Sequence, residues 1–460
     1  MKGSGVSMEK FDVVIVGAGT AGCMAAKTSA EKGLKVCLID RKKASEIGKK
    51  ICGDAIGKHH FDELNLEKPS GEELERKILG VKVYSPDQQT AFTVKGEGLH
   101  GYLINRHLFG QRLLKMAVDN GATLLDSTQV LEPIVEKNFV VGVLAKKIDS
   151  NEKKRIFGKI VVDASGYSAV LRSKLPPEIG VDTKVDKDEI EVCHREIREL
   201  NEEIEESDFC HIYLNQEIAP GGYVWIFPEK NKRVNVGLGV AMKGNFPNPK
   251  ERLYSHVLNK ELFKGSSVID KGAWFVLTRR PLSSMVGNGI IVVGDAACQV
   301  NPIHGGGMGP SMVGGKLAGE TAAEALEKGD TSREGLWQYN VRYMKWYGVK
   351  QAGLDIFRIF LQSCKNDEIN YGMKYKLITE EDLLRASMGE EARFNITDLT
   401  MRIFRGLRRL EFLMKLREVS TMMKKARELY RNYPENPNEI ENWRVKVENL
   451  FKEAKNKFKF

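Results

Sequence analysis

The chain has 460 residues, 42 % hydrophobic and 29 % charged with only 14 prolines, which argues against a disordered or low-complexity protein and predicts two or three folded domains. No run approaches the ~18 to 20 consecutive apolar residues of a membrane-spanning helix. The net charge of +9 sits mostly in residues 401–460, where 16 Lys or Arg face 8 Asp or Glu, and with no nucleic-acid-binding motif beside it nucleic acid is not an expected partner.

Met1 to Ser7 lacks the apolar centre and cleavage site of a secretory signal, with Met8 as an alternative start, and predicts a cytoplasmic protein. Seven cysteines, an odd number without a Cys-x-x-Cys pair, read as reduced thiols and give no metal site. Phe11 to Val16 is a short apolar, β-branched run that predicts a buried parallel strand. Gly17-Ala18-Gly19-Thr20-Ala21-Gly22 follows, matching G-x-G-x-x-G, then a helical stretch to about Lys32 and a second strand at Lys35 to Ile39. Asp40 ends that strand, where a carboxylate can accept hydrogen bonds from a ribose 2′-hydroxyl. Gly17 allows the tight turn, Gly19 lets the backbone approach a pyrophosphate, and Gly22 lets helix and strand pack closely, with the helix N-terminus facing the phosphates. This β-α-β unit marks a dinucleotide site without choosing between FAD and NAD.

Further along, Lys159 to Gly166 is a strand ending in Asp163-Ala164-Ser165-Gly166. Lys187 to Glu206 is acidic and polar and reads as an exposed loop or helix. Tyr223 to Phe227 alternates, so Tyr223, Trp225 and Phe227 should share one face of a sheet that Arg233 to Val240 continues. Gly289 to Cys298 delivers Gly294-Asp295 from an apolar strand, followed by the loop Asn301 to Gly309 and a small-residue helix near Pro310. In the basic tail, Ile403, Phe404, Leu407, Leu410, Phe412, Leu413, Leu416, Met422 and Met423 have mainly helical spacing and predict amphipathic helices, either packed on the protein or docked on an anionic membrane or an acidic partner.

The fingerprint, the Asp163 segment and the Gly294-Asp295 segment together resemble the FAD-dependent reductases and monooxygenases of the para-hydroxybenzoate hydroxylase fold. Two further segments, Lys49-Lys50-Ile51-Cys52-Gly53-Asp54 and Pro220-Gly221-Gly222-Tyr223-Val224-Trp225-Ile226-Phe227-Pro228, resemble motifs of the geranylgeranyl reductases, as do Thr278 to Leu282 and the C-terminal stretches Gln351 to Leu361 and Asn370 to Met373. The likeness covers most of the chain and is nearest to the archaeal digeranylgeranylglycerophospholipid reductases.

The resemblance implies an α/β fold: a Rossmann-type FAD-binding domain (8–185 and 279–335), an inserted α+β substrate domain (186–278) and a basic helical C-terminal region (336–460). It implies that Asp295 binds the ribityl chain, that Gly306, Gly307 and Met308 place N–H groups beside the flavin, and that Arg106 meets the cofactor phosphates. Arg41, Cys52, Gly53, Asp54, Val130, Asp163, Gly166 and Gly294 join the cofactor set by the same likeness, although Ala164 and Ser165 interrupt the family's direct Asp-Gly. Gly221, Tyr223, Trp225 and Phe227 are implied to hold a prenyl substrate.

The implied reaction adds two hydrogens across isolated alkenes of a prenylated glycerophospholipid or prenyl diphosphate. Such a bond has no carbonyl to take up charge, so a proton must arrive with the hydride. Cys52 is the candidate beside the flavin, as proton donor, lipid gate or redox switch, with Tyr223 and His304 as candidates for a relay. There is no second dinucleotide unit, so the external reductant is expected to be transiently docked NADPH or a ferredoxin-like protein. The basic surface predicts peripheral membrane contact. The same fold also supports monooxygenases, epoxidases and halogenases, and a non-enzymatic flavin-bearing prenyl-lipid carrier remains the other alternative.

Overall fold

The computed structural model describes residues 10–96, 99–388 and 409–459; the leader Met1 to Ser7, and Ile403, Phe404 and Leu407 of the basic tail, lie outside the described residues. The first apolar run forms strand Lys10–Val16 at the centre of an eight-stranded sheet, with Val13, Val14 and Ile15 wholly buried because strands flank it on both sides. Its parallel neighbours are Val36–Ile39 and Lys153–Asp163, continued outward by Thr123–Leu125 and Ile290–Val292. Phe139–Lys147 pairs antiparallel with Lys153–Asp163, and Thr128–Glu136 pairs antiparallel with Phe139–Lys147.

The register decides where the motifs meet. Val16 lies opposite both Ile39 and Asp163, and Asp163 lies opposite Val292. Four parallel strands therefore end level, and the segments after them emerge together at one sheet edge, where open α/β sheets bind their ligands. Helix Thr20–Glu31 leaves that edge and packs against helix Met308–Lys328. Contact is backbone-close, since a Cβ on Gly315 would lie 2.2 Å from the Ala21 oxygen.

A second, seven-stranded sheet has the order Ser267–Val276, Glu191–Glu199, Arg233–Ala241, Val224–Pro228, Phe209–Tyr213, Gly80–Tyr84, Ala91–Lys95. Its last two strands come from the span 8–185 expected to belong to the cofactor unit alone. They enter because Phe209–Tyr213 pairs in parallel with Gly80–Tyr84, a long-range pairing that no local pattern announces. A small sheet of Ala55–Gly57, Gly101–Ile104 and Leu74–Ile78 joins the two layers.

The acidic segment Lys187 to Glu206 corrects the sequence expectation: Glu191–Glu199 is a strand paired on both sides, with Arg195 and Glu196 buried. Its charges go inside because each has a partner. Arg195 bonds Asp270 (2.6 Å), Glu196 pairs with Arg198 (2.5 Å) and accepts from the Tyr254 hydroxyl (2.8 Å), and Glu189 pairs with Arg279 (2.8 Å) and Arg280 (2.9 Å).

Among the described residues, the C-terminal region from Arg333 onward is built of helices. In helix Leu410–Arg431 the buried positions Phe412, Val419, Met422, Ala426 and Tyr430 recur at helical spacing and pack on helix Val349–Ser363. Part of the tail's positive charge is matched by the protein's own acids, as in Arg444–Asp182 (2.7 Å), Lys455–Asp188 (3.0 Å) and Lys415–Glu368 (2.9 Å). All seven cysteines are free thiols.

Candidate functional site

At the sheet edge the glycine turn has the geometry its sequence requires. Gly17 adopts φ +102, and a Cβ at Gly22 would lie 1.8 Å from the Gly17 oxygen, so neither tolerates a side chain. Gly19 differs: a Cβ there would meet nothing within 4 Å, because the turn faces an open cleft. Asp40 braces the turn, accepting from the Ala18 N–H (2.7 Å) and the Lys42 N–H (2.8 Å). Thr20 and Ala21 begin the helix and are buried, Val130 is buried on the strand whose Thr128 N–H bonds the Asp40 oxygen (2.9 Å), and Arg41 is exposed.

Arg106, first residue of helix Arg106–Asp119, is 9 % exposed, and its Nε and Nη1 have no hydrogen-bond partner. A buried guanidinium is stable only with an anion to bind. Together with the open cradle at Gly19 and the free N–H groups of two helix starts, it fits the pyrophosphate of FAD. FAD held there would, once reduced, supply hydride from its flavin ring.

Asp163 departs from expectation. Its carboxylate is fully buried and accepts from the Ser165 N–H (3.1 Å) and hydroxyl (2.5 Å), the Leu171 N–H (3.1 Å) and the Arg172 N–H (2.8 Å). With four local donors its carboxylate anchors its own turn. Gly166, at φ +71, ends that turn toward open space, and Gly294, at φ +65, lies against Ala21.

Beyond Asp295 the cleft becomes a cavity of about 440 Å³, lined by Thr20, Arg106, the Lys50–Asp54 loop, Asp295, the loop His304 to Met308 and the wall Tyr223, Trp225, Phe227. Asp295 pairs with Lys50 (2.8 Å), tying the Cys52 loop to the Gly-Asp segment. The three aromatic rings follow one another at centroid distances of 6.0 and 6.4 Å. Gly53 lies against Phe227. A second, almost wholly apolar chamber of about 160 Å³ adjoins the first, shares Tyr223, Ile303, His304 and Phe357 with it, and includes Gly221. Gly221, Tyr223, Trp225 and Phe227 are therefore divided between two adjoining chambers.

Titration in the cavity follows burial. Burial raises the Cys52 thiol, helped by the Asp54 charge, and raises the Tyr223 phenol, helped by Glu191. The enclosing protein and the Lys350 charge lower His304, although its surface remains exposed. The relay candidates Tyr223 and His304 meet through the backbone: the Tyr223 hydroxyl donates to the His304 backbone oxygen (2.7 Å), and His304 Nδ1 accepts from the Gly306 N–H (3.1 Å). Both side chains brace the loop.

Sequence reading missed Glu191, Arg195 and Asn235. Asn235 Nδ2 donates to the Cys52 oxygen (2.9 Å) and to Asp54 (3.0 Å), and its Oδ1 accepts from the Trp225 indole (3.0 Å). The available signal was one amide in the apolar strand Arg233–Ala241. Glu191, raised to about 7 by burial, lines both chambers, and no local pattern separates it from the acidic run around it.

Residues 12–189 match the FAD dependent oxidoreductase family, and residues 189–276 match the geranylgeranyl reductase catalytic domain. The digeranylgeranylglycerophospholipid reductase of Sulfolobus acidocaldarius is 46 % identical over 96 % of this chain and 98 % of its own length. That of Methanothrix thermoacetophila is 32 % identical over 78 % of this chain and 90 % of its own. The solved structure of a geranylgeranyl bacteriochlorophyll reductase-like protein from Thermoplasma acidophilum superposes with a TM-score of 0.75 at 23 % identity, covering 90 % of this chain and 100 % of that one. A flavin-dependent brominase superposes with a TM-score of 0.60 at 19 % identity, covering 86 % and 94 %. The last two share the fold. Identity along nearly the whole length of the Sulfolobus enzyme goes further, and on it this chain belongs to the digeranylgeranylglycerophospholipid reductase family of FAD-dependent oxidoreductases.

Proposed function

We propose that this protein saturates the isolated C=C bonds of geranylgeranyl chains carried by a glycerophospholipid, as the names of its relatives say of them. The observation that carries this reading is the two-chambered apolar cavity, walled by Tyr223, Trp225 and Phe227, that opens from the cofactor motifs. An isoprenoid chain is threaded there by dispersion and exclusion of water alone, so successive double bonds can reach the same point. The Trp225 indole is held edge-on by Asn235, which keeps the wall rigid.

Bound FAD, once reduced, supplies the hydride. The chain's own residues supply the rest: Arg106 and the Gly19 turn hold the pyrophosphate, the aromatic wall places the alkene, and the Cys52 thiol, protonated at neutral pH because burial raises it, provides the proton. Asp295, freed from Lys50, is the ribityl ligand in this reading. The electrons come from outside, through a ferredoxin-like protein or docked NADPH, and the tail's unmatched basic residues hold the protein at the membrane that stores its substrate.

The test is anaerobic. The yellow protein is reduced with dithionite, geranylgeranyl phospholipid is added, and flavin reoxidation and product mass are followed together. Reoxidation with two hydrogens gained per double bond is expected. A flavin that stays reduced until air is admitted, with product then gaining oxygen, overturns the reading in favour of a monooxygenase.

A further inference from the structure

The mouth of the larger chamber carries basic groups that have no task in the reading above. The exposed residues that line this chamber are Ala55, His59 and His304, so it meets solvent there. Lys350 lines it too, with its ammonium over the Tyr347 ring (5.4 Å to the centroid). His59 packs on Gly57 and lies against His60 with ring centroids 4.0 Å apart, and His60 in turn sets its Nε2 edge against Gly309. These rings make few hydrogen bonds. Neither nitrogen of His59 has a partner among the described residues, and His60 Nδ1 is buried without one. His304 accepts from the Gly306 N–H through Nδ1 (3.1 Å), which puts its proton on Nε2, a donor without a partner among the described residues. The carboxylates of helix Lys58–Glu63 are engaged: Asp62 pairs with Lys68 (3.1 Å), while Glu63 accepts from Trp346, faces Lys316 and stands 4.0 Å from His60.

We propose that His59, His304 and Lys350, with His60 packed behind His59, seat the phosphate headgroup of the lipid substrate at the mouth of the cavity. The proposal rests on the alkene-reductase reading above and deepens it. An amphiphile whose apolar chains fill the two chambers leaves its charged end where the apolar wall stops, and there the cavity offers imidazole and ammonium donors, which pair strongly with phosphate oxygens. The seat is separate from the one for the cofactor pyrophosphate: the Arg106 charge reaches Cys52 and Asp54 and none of the three imidazoles.

Without an anion the seat sheds charge. Burial, and then the Arg427 charge, lowers Lys350 to about 8. The enclosing protein, and then Lys350, lowers His59 against the pull of Asp62, and His60 falls further because His59, Lys350 and His304 all oppose its protonation. A bound phosphate reverses the balance at Lys350, since an anion beside an ammonium favours the charged form. Binding above pH 8 therefore takes up protons, and affinity falls as pH rises from 7.5 to 9, a window in which a phosphate monoester is already a dianion. His304 takes no part in this uptake, because the Gly306 N–H occupies its Nδ1 and keeps the ring neutral.

The test uses the oxidised, FAD-loaded protein and two probes in the same detergent, geranylgeranylglyceryl phosphate and the geranylgeranylglycerol that lacks its phosphate. Binding is read from the flavin spectrum, and proton uptake from an indicator dye in weakly buffered solution. Wild type should bind the phosphate form roughly 10- to 100-fold more tightly than the alcohol and take up protons at pH 8.5. Lys350→Gln and His59→Ala should each weaken the phosphate form by roughly 10-fold and leave the alcohol's affinity as it was, and Lys350→Gln should also lose the proton uptake. Lys350→Arg should restore the affinity without the uptake, because a guanidinium keeps its proton; a purely structural lysine would not separate the two. Flavin content and melting temperature check that each variant is folded. Equal affinity for the two probes, or variants that weaken both alike, overturns the proposal. Inorganic phosphate binding as tightly as the phosphate lipid overturns it in favour of a site for the free ion. If the bound phosphate lipid leaves dithionite-reduced flavin reduced and its alkenes unchanged, the reductase reading fails, while the difference between the probes still decides the headgroup seat.

Discussion

Arg106 carries a permanent charge into a buried position and leaves two nitrogens without partners, an arrangement that costs stability until an anion arrives. Arg106→Leu should therefore weaken FAD binding by roughly 10- to 100-fold, about 1.5 to 3 kcal/mol, without lowering the melting temperature of the flavin-free protein; fluorescence titration and a thermal melt check the two halves. The glycine turn makes a matching contrast. Gly19→Val should abolish yellow colour in a folded protein, since the space it fills is the cleft, whereas Gly22→Ala should unfold it, since the space is occupied by the Gly17 oxygen. The enclosing protein and the Lys350 charge hold His304 below the ordinary imidazole value, so it is neutral from pH 7 to 8. Replacing it with Asn should thus leave the pH profile of lipid-dependent flavin reoxidation unchanged over that range.

On the strands, function depends on what stands behind each working side chain. Gly237 lies directly behind Trp225, and a Cβ there would come within 2.1 Å of the indole. Gly237→Ala should push the ring into the cavity, keep the flavin, and leave products with fewer double bonds reduced, a change that product mass spectrometry reads directly. The alternation from Tyr223 to Phe227 announced the wall correctly, because period two is a property of any extended strand. It could not announce the opposite side of the site. Arg195 lies on a strand whose sequence is acidic, and its burial depends on carboxylates from outside that strand: Asp270 from Ser267–Val276 and Asp54 from the loop after Lys50, while Glu191 on the same strand feels the Arg358 charge from helix Val349–Ser363.

Across the whole molecule, one buried cluster joins the sheets to the C-terminal helices. Glu189 faces Arg279 and Arg280, Arg280 also reaches Asp355 (3.2 Å) on helix Val349–Ser363, and Lys455 on the last helix closes the cluster (3.5 Å). The Thr278-Arg279-Arg280-Pro281 motif is thus a structural clamp. Burial alone would raise the Glu189 carboxyl, yet the surrounding cations outweigh it and hold it below the ordinary carboxylate range. A depressed folded value means stability that is present above the unfolded pKa of about 4.3 and is lost as pH falls below it. Glu189→Gln should cost about 3 to 5 kcal/mol at pH 7, by leaving buried cations short of a partner, and the gap to wild type should narrow in melts taken below pH 4.

What the sequence determined by itself was local: the β-α-β unit with its glycine turn and Asp40, the strand that bears Gly294 and Asp295, the alternating aromatic wall, and the helical tail. Each follows from a short-range rule of spacing or of backbone sterics, which acts within a few residues. Tertiary structure decided the rest. Asp163 became a turn anchor because its own loop folded back to saturate it, and the Tyr223–His304 pair met through a backbone oxygen instead of an imidazole. Two strands from the N-terminal span crossed into the second sheet, and an acidic segment became part of its interior, because distant partners, Asp270 for Arg195 and Arg279 and Arg280 for Glu189, neutralised its charges. Charge burial and long-range pairing are properties of partners brought together by the completed fold, and no window of sequence contains both members.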